Sequence, residues 1–143
     1  MELILWRHAD AEDGADDWAR RLTLRGEAQA AAMAAWLRGH LPGSYTLLAS
    51  PAVRAQQTAA ALGAPIVTER SLAPGAAPAA ILKAAASRKG LVILVGHQPD
   101  LGRAAAELAG RTEADWHIEK GAIFWLAGED PARIKAVLSP ELL

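Results

Sequence analysis

The sequence predicts a single three-layer α/β/α domain over residues 1–143 with a largely parallel central sheet. Three observations predict it. Two short apolar runs, Leu3 to Trp6 and Leu91 to Val95, each end abruptly in a polar pair, Arg7-His8 and Gly96-His97. Their length and branching are those of strands buried on both faces. A third run, Tyr45 to Ala49, leads straight into Ser50-Pro51, a helix-opening pair. Between the runs lie segments of helical period, and alternation of the two kinds implies a layered sheet.

Taken in order, the first strand and a loop are followed by a helix expected from Thr23 to about His40. Met33, Trp36, Leu37 and Leu41 there share one face, and Pro42-Gly43 ends it. After the Tyr45 to Ala49 strand, Ser50 is a good N-cap and Pro51 suits the first helical position, where no N–H is needed. That helix closes at Leu62-Gly63. A short strand, Ile66 to Thr68, and a helix from Ala77 to about Ser87 precede the Leu91 to Val95 strand. Pro99 opens a fourth helix reaching about Ala109. Gly121 to Ala127 and Ile134 to Leu138 read as a closing pair of strands around Gly128-Glu129-Asp130-Pro131. The alanine-rich stretches read as closely packed helices.

Composition bounds the function. With 143 residues the chain can bury a core without covalent staples. There is no cysteine, which excludes disulfides, thiolate catalysis and cysteine-ligated metal centres. A net charge of −1 and a pI near 6.4 argue against nucleic-acid binding, which calls for a basic stripe. The longest apolar stretch, Ala30 to Leu37, is too short to span a bilayer. A strand that begins within two residues of Met1 leaves no room for a signal peptide. The expectation is a cytoplasmic protein with no membrane or nucleic-acid partner.

Side chains just past the carboxyl ends of parallel strands line the ligand crevice of such sheets. His8 and His97 then face one cleft, with Arg7 beside them and Arg54 in the first turn of the helix after Ser50. Free N–H groups at helix N-termini, the helix dipole and two arginines make this an oxyanion site. Either histidine alone would more often be a hydrogen-bonded structural group, but three strand ends deliver complementary chemistry together. His40, at a helix end, and His117, in a polar stretch, lack such a setting and read as structural.

These segments carry a family resemblance. Leu5-Trp6-Arg7-His8-Ala9, Ala49-Ser50-Pro51-Ala52-Val53-Arg54-Ala55-Gln56-Gln57-Thr58-Ala59 and Val95-Gly96-His97-Gln98-Pro99 resemble, in order and spacing, the three signature segments of the histidine phosphatase superfamily. The fold implied is the phosphoglycerate mutase-like one. Small size and the Arg20-Arg21-Leu22-Thr23 … Gly26 segment are most similar to the SixA-type phosphohistidine phosphatases. The resemblance implies that His8 accepts the phosphoryl group, that Arg7, Arg54 and His97 hold its oxygens, and that Arg20 is a further phosphate contact. It implies a phosphorylated substrate, in that subgroup a phosphohistidine-bearing protein. Elementary chemistry agrees: phosphoryl transfer needs an aligned attacker and charge stabilisation, which a planar, always charged guanidinium supplies. His8 must attack as neutral imidazole, and the neighbouring guanidinium groups lower its pKa.

Two departures bear on the reaction. Ala9 stands where the superfamily commonly has Gly, which implies a negative φ there. The stretch Glu69 to Gly75 lacks the glutamate that larger members use to protonate an ester oxygen, and the remaining candidate proton donors are Asp10 and Glu12. Both lie in an acidic loop, Asp10 to Trp18, that reads as a solvated surface segment; as a rim, with Trp18 and Trp116 as its apolar parts, it would instead repel small polyanions. Two other functions are consistent with the residues: a phosphatase of small phosphomonoesters, with Asp10 or Glu12 as acid, and a non-catalytic phosphate-recognition module.

No cofactor is expected, and no carboxylate cluster of magnesium-binding character accompanies the cationic groups. Phosphatase activity should therefore survive dialysis against a strong chelator and be inhibited by vanadate. Activity lost in chelator and restored by a divalent ion would refute this.

Overall fold

A computed structural model describes all residues, 1–143. Its centre is a six-stranded sheet built from β1 (Glu2–Arg7), β2 (Thr46–Ala49), β3 (Val67–Thr68), β4 (Leu91–Gly96), β5 (Ile123–Ala127) and β6 (Arg133–Leu138), in the order β3-β2-β4-β1-β5-β6. The first four strands in that order run parallel, and β5 pairs antiparallel with both β1 and β6. The helices are α1 (Leu24–Arg38), α2 (Val53–Ala60), α3 (Pro78–Ala86) and α4 (Asp100–Leu108).

The apolar runs work as strands because their alternate residues feed two cores. On one face Leu3, Leu5, Leu48, Val92 and Leu94 pack with Ile81 and Ala84 of α3 and Leu101, Ala104 and Ala105 of α4. On the other, Ile4, Trp6, Leu47, Ile93 and Val95 pack with Met33, Ala34 and Leu37 of α1 and Ala55 and Ala59 of α2. This is the three-layer arrangement expected. The buried alanines let helices lie close to the sheet. No helix is long and apolar enough to cross a membrane.

Register aligns the strand ends. Arg7 pairs with Gly96 and Ala49 with Val95, so β2, β4 and β1, adjacent in the sheet, stop at one level. His8, His97 and Ser50, the next residues, emerge at one edge.

Two helix starts differ from the expectation. Helix α2 begins at Val53 with Ala52 as its cap, so Ser50 is not the N-cap and Pro51 is not the first helical residue. The Ser50 hydroxyl is engaged elsewhere: it accepts the Ala52 N–H at 3.2 Å and contacts His97 Nε2 at 2.8 Å. The chain bends through Pro51 before it coils. Pro99 likewise caps α4 instead of opening it. Helix α1 starts as expected, since the Thr23 hydroxyl accepts the Gly26 N–H at 3.0 Å and caps it.

Gly26 also lets the loop after His8 lie against α1. A Cβ at this position would clash with the Asp10 carbonyl oxygen, far inside van der Waals contact distance. Gly26→Ala should destabilise the fold by about 2–3 kcal/mol, as overpacked sites do, whereas Gly43→Ala, which meets nothing, should stay within about 0.5 kcal/mol. Urea unfolding of both variants checks this.

Candidate active site

The crevice at the carboxyl edge of β1, β4 and β2 has a volume of about 360 Å³, and among its lining residues are Arg7, His8, Arg20, Arg54 and His97. His8 is 7% exposed, Arg54 4% and His97 4%. Five of the seven residues nominated from the sequence thus meet in one place.

His8 is held on every side. Its backbone N–H donates to Gly96 O at 3.0 Å, tying β1 to β4. Its Nδ1 lies 2.7 Å from the Ala9 carbonyl oxygen. A carbonyl only accepts, so Nδ1 carries the hydrogen and Nε2 keeps its lone pair, which accepts from Arg54 Nε. That nitrogen faces Arg54 Nε at 3.4 Å. Ala9 is buried with a negative φ, as expected, and its N–H donates to Thr58 Oγ1 at 3.0 Å. Thr58 in turn donates to the Arg54 carbonyl at 2.8 Å, so one turn of α2 locks the His8-Ala9 backbone and carries Arg54.

The segment 118–122 forms a collar around the same strand end. Arg7 Nη1 donates to Ile118 O at 2.9 Å, and the Gly121 N–H lies 3.2 Å from both Arg7 O and His8 O. Gly121, with φ of +74°, makes the turn that permits this approach. Lys120 projects from the collar to the crevice edge.

Burial pushes His8 down to about 4, with Arg54, Arg7 and Arg20 adding to the effect against the Ala9 hydrogen bond. The guanidinium effect expected from the sequence is present, but loss of hydration is the larger cause. His97 is pushed down to about 3, by burial first and then by His8 and Arg54. Both imidazoles are neutral at pH 7. Two buried side-chain atoms have no hydrogen-bond partner, Arg7 Nε and His97 Nδ1. Buried polar atoms are nearly always paired, and both of these belong to residues lining the crevice. His97 Nε2 is paired with the Ser50 hydroxyl, and in the tautomer where that hydroxyl donates, Nδ1 carries a hydrogen with no partner within the protein.

Asp10 and Glu12 do not line the crevice. Asp10 lies in a neighbouring cavity of about 400 Å³ that shares Arg7 and Lys120 with it. Its carboxylate is 2.8 Å from Lys120 Nζ and accepts from the Thr23 hydroxyl at 2.8 Å, and these partners hold it below the usual carboxylate range. It has no proton to give at neutral pH. Glu12 is exposed, and its carbonyl accepts Arg20 Nε at 2.7 Å. The loop from Asp10 to Trp18 is only partly the solvated segment expected, because Asp17 turns in to Arg54 and Arg20. Trp18 is exposed and Trp116 packs on Phe124; neither lines the crevice. His40 and His117 also stay outside it. His40 stacks on Trp36 and bonds its carbonyl.

Sequence reading missed Ser50 as a partner of His97, Asp17, Lys120, and the 5%-exposed Asp100, whose Oδ2 accepts the Gly75 and Ala76 N–H groups at 2.9 and 3.1 Å. Asp100 holds the wall formed by Pro74 and Gly75. Burial raises its pKa against those two hydrogen bonds.

A buried histidine whose folded pKa lies below its unfolded value binds fewer protons when folded. Stability should therefore fall as pH drops below 6.5, by up to about 1.4 kcal/mol per pH unit for each of His8 and His97. In phosphate-free buffer, urea unfolding between pH 6.5 and 5 should show this slope, and His97→Gln should lose about half of it. An unchanged slope in the variant would exclude a buried neutral His97.

Comparison with known proteins agrees with this geometry. A model of the histidine phosphatase superfamily (branch 1) matches residues 3–74, the stretch that carries Arg7, His8, Arg20 and Arg54. An uncharacterised protein of Picosynechococcus sp. is 37% identical over 158 residues, covering 99% of this chain and 93% of that one. Two uncharacterised Mycobacterium tuberculosis sequences are 36% identical over 117 residues, 76% of this chain and 73% of theirs. Among solved structures, the protein histidine phosphatase SixA with tungstate superposes with a TM-score of 0.85 at 26% identity, covering 99% of both chains. A candidate phosphohistidine phosphatase SixA from Nakamurella multipartitia gives 0.83 at 30%, covering 97% of this chain and 95% of that one. A paired-histidine crevice at the edge of a sheet that superposes on SixA, in a chain whose first half matches the family model, makes this protein a member of the histidine phosphatase superfamily, branch 1, and a SixA-like phosphatase.

Proposed function

We propose that the protein is a metal-independent phosphohistidine phosphatase that carries the phosphoryl group on His8. The observation that carries this reading is His8 Nε2, left without a hydrogen by the Nδ1 bond to Ala9 and accepting only from Arg54 Nε inside a buried cationic crevice. In the first step Nε2 forms a bond to phosphorus while the P–N bond of the substrate imidazole breaks, and that imidazole takes a proton from solvent. Water then attacks phosphorus, the His8–phosphorus bond breaks, and phosphate leaves. Arg7, Arg54 and Arg20 neutralise the oxygens, and His97, in the tautomer with its hydrogen on Nδ1, donates to one of them. The bound dianion favours the protonated form of His97, opposing the burial that lowers its pKa.

The choice of substrate rests on the acid side. Asp10 is held ionised outside the crevice and Glu12 does not reach it; Asp100 lines the crevice and burial raises its pKa, but its Oδ2 is committed to two backbone N–H groups of the wall. A positioned acid is worth about 10²- to 10⁴-fold where an alkoxide must leave. A leaving imidazole needs less help. The protein phosphohistidine readings of the SixA neighbours support the same substrate class for this chain.

Measured as kcat/KM at one pH, phosphohistidine and other P–N substrates should exceed an aryl phosphate, and glycerol phosphate should react least. His8→Ala should abolish turnover of all three yet still bind vanadate, whereas Arg54→Ala should weaken both turnover and binding. Equal efficiency on glycerol phosphate and P–N substrates would overturn the substrate assignment, and near-normal turnover by His8→Ala would overturn the nucleophile.

A further inference from the structure

Arg54 is 4% exposed, and its guanidinium has two usable edges. One is the end-on edge, Nη1 with Nη2; the other is the side-on edge, Nε with the second hydrogen of Nη2. The end-on edge is occupied from within the chain. Nη1 donates to the carbonyl of Asp17, and Nη2 to the Asp17 carboxylate at 3.1 Å. The second carboxylate oxygen accepts from Arg20 Nη1 at 3.0 Å. One residue thus bridges the two arginines, and Arg20 is clamped again through its Nε on the Glu12 carbonyl. The side-on edge remains, with Nε directed at His8 Nε2 at 3.4 Å.

We propose that Asp17 is a positioning residue, which by occupying the end-on edge of Arg54 and one side of Arg20 turns the side-on fork of Arg54 toward the phosphoryl group on His8. The inference rests on the reading of the crevice as the phosphoryl site, but not on which phosphorylated substrate fills it. A planar fork with fixed hydrogens binds two oxygens of a phosphoryl group at little entropic cost, while an unanchored arginine must be ordered on binding. The alternative role for a carboxylate at this place is that of an internal anion competing with phosphate. The edge it occupies argues against that, because the fork nearest His8 carries no carboxylate and meets only His8 Nε2. Arg20 and Arg54 hold the Asp17 carboxyl below the usual carboxylate range, so the clamp stays charged at neutral pH.

The test is a double-mutant cycle read by calorimetric binding of orthovanadate, with kcat and KM on an aryl phosphate alongside. Asp17→Ala should weaken vanadate binding about fivefold in the otherwise native protein, since half-exposed charge pairs are worth about 1 kcal/mol. In an Arg54→Ala background the same substitution should change binding less than twofold. Asp17→Asn, which keeps an acceptor oxygen but no charge, should fall between native and Asp17→Ala. Thermal melting of each variant confirms that folded protein is compared. Tighter vanadate binding by Asp17→Ala would establish competition and overturn the proposal, as would equal losses in both backgrounds or no change in either. If the native protein binds vanadate with this coupling but turns over no phosphorylated compound, the proposed function fails and the positioning role stands.

Discussion

The hydrogen bond from His8 Nδ1 to the carbonyl of its own neighbour, Ala9, sets the chemistry of the crevice, because it decides which ring nitrogen keeps a lone pair. Much of the surrounding structure maintains that bond. The Ala9 peptide that presents this carbonyl is held at its N–H by Thr58, which in turn bonds back to the Arg54 carbonyl within α2. The His8 N–H is tied to Gly96 at the end of β4, and the collar at Gly121 closes on the carbonyls of Arg7 and His8. The ring is therefore fixed through backbone groups on three separate segments. Nε2 is left to Arg54 alone.

Such an arrangement gathers like charges in a place poor in water, and the two histidines respond by giving up theirs. Burial is the first cause of both lowered pKa values, with the arginines contributing in the same direction. The cation density is offset by Asp17, which lies between Arg54 and Arg20, and the neighbouring Lys120 is paired with Asp10. Carboxylates that looked like solvated loop charges, or like acids, thus serve to hold cations. That use also explains why they make poor proton donors: a carboxylate stabilised by cations stays ionised.

Much of this was legible in the chain. Strands buried on both faces read as unbroken apolar runs, so β1, β2 and β4 and the polar residues that end them stand out without any long-range information. Parallel strands in one sheet bring their carboxyl ends to one edge, and hence Arg7, His8, Arg54 and His97 could be grouped before any geometry was known. Helix termini were less legible. Ser50 has the local signature of a cap, but its hydroxyl is claimed by His97, 47 residues away, and the helix starts later.

The sequence by itself determined the alternation of strands and helices, the absence of thiol chemistry, and the set of cationic and imidazole groups at the strand ends. Those properties follow from local periodicity and residue type. Tertiary structure decided the tautomer of His8, the partner of each arginine, and the fate of each carboxylate. Asp17 meets Arg54 across 37 residues and Lys120 meets Asp10 across 110, distances over which no local pattern carries information. A carboxyl group is an acid, a clamp or a solvated charge according to what packs against it. Only the folded chain brings those neighbours together.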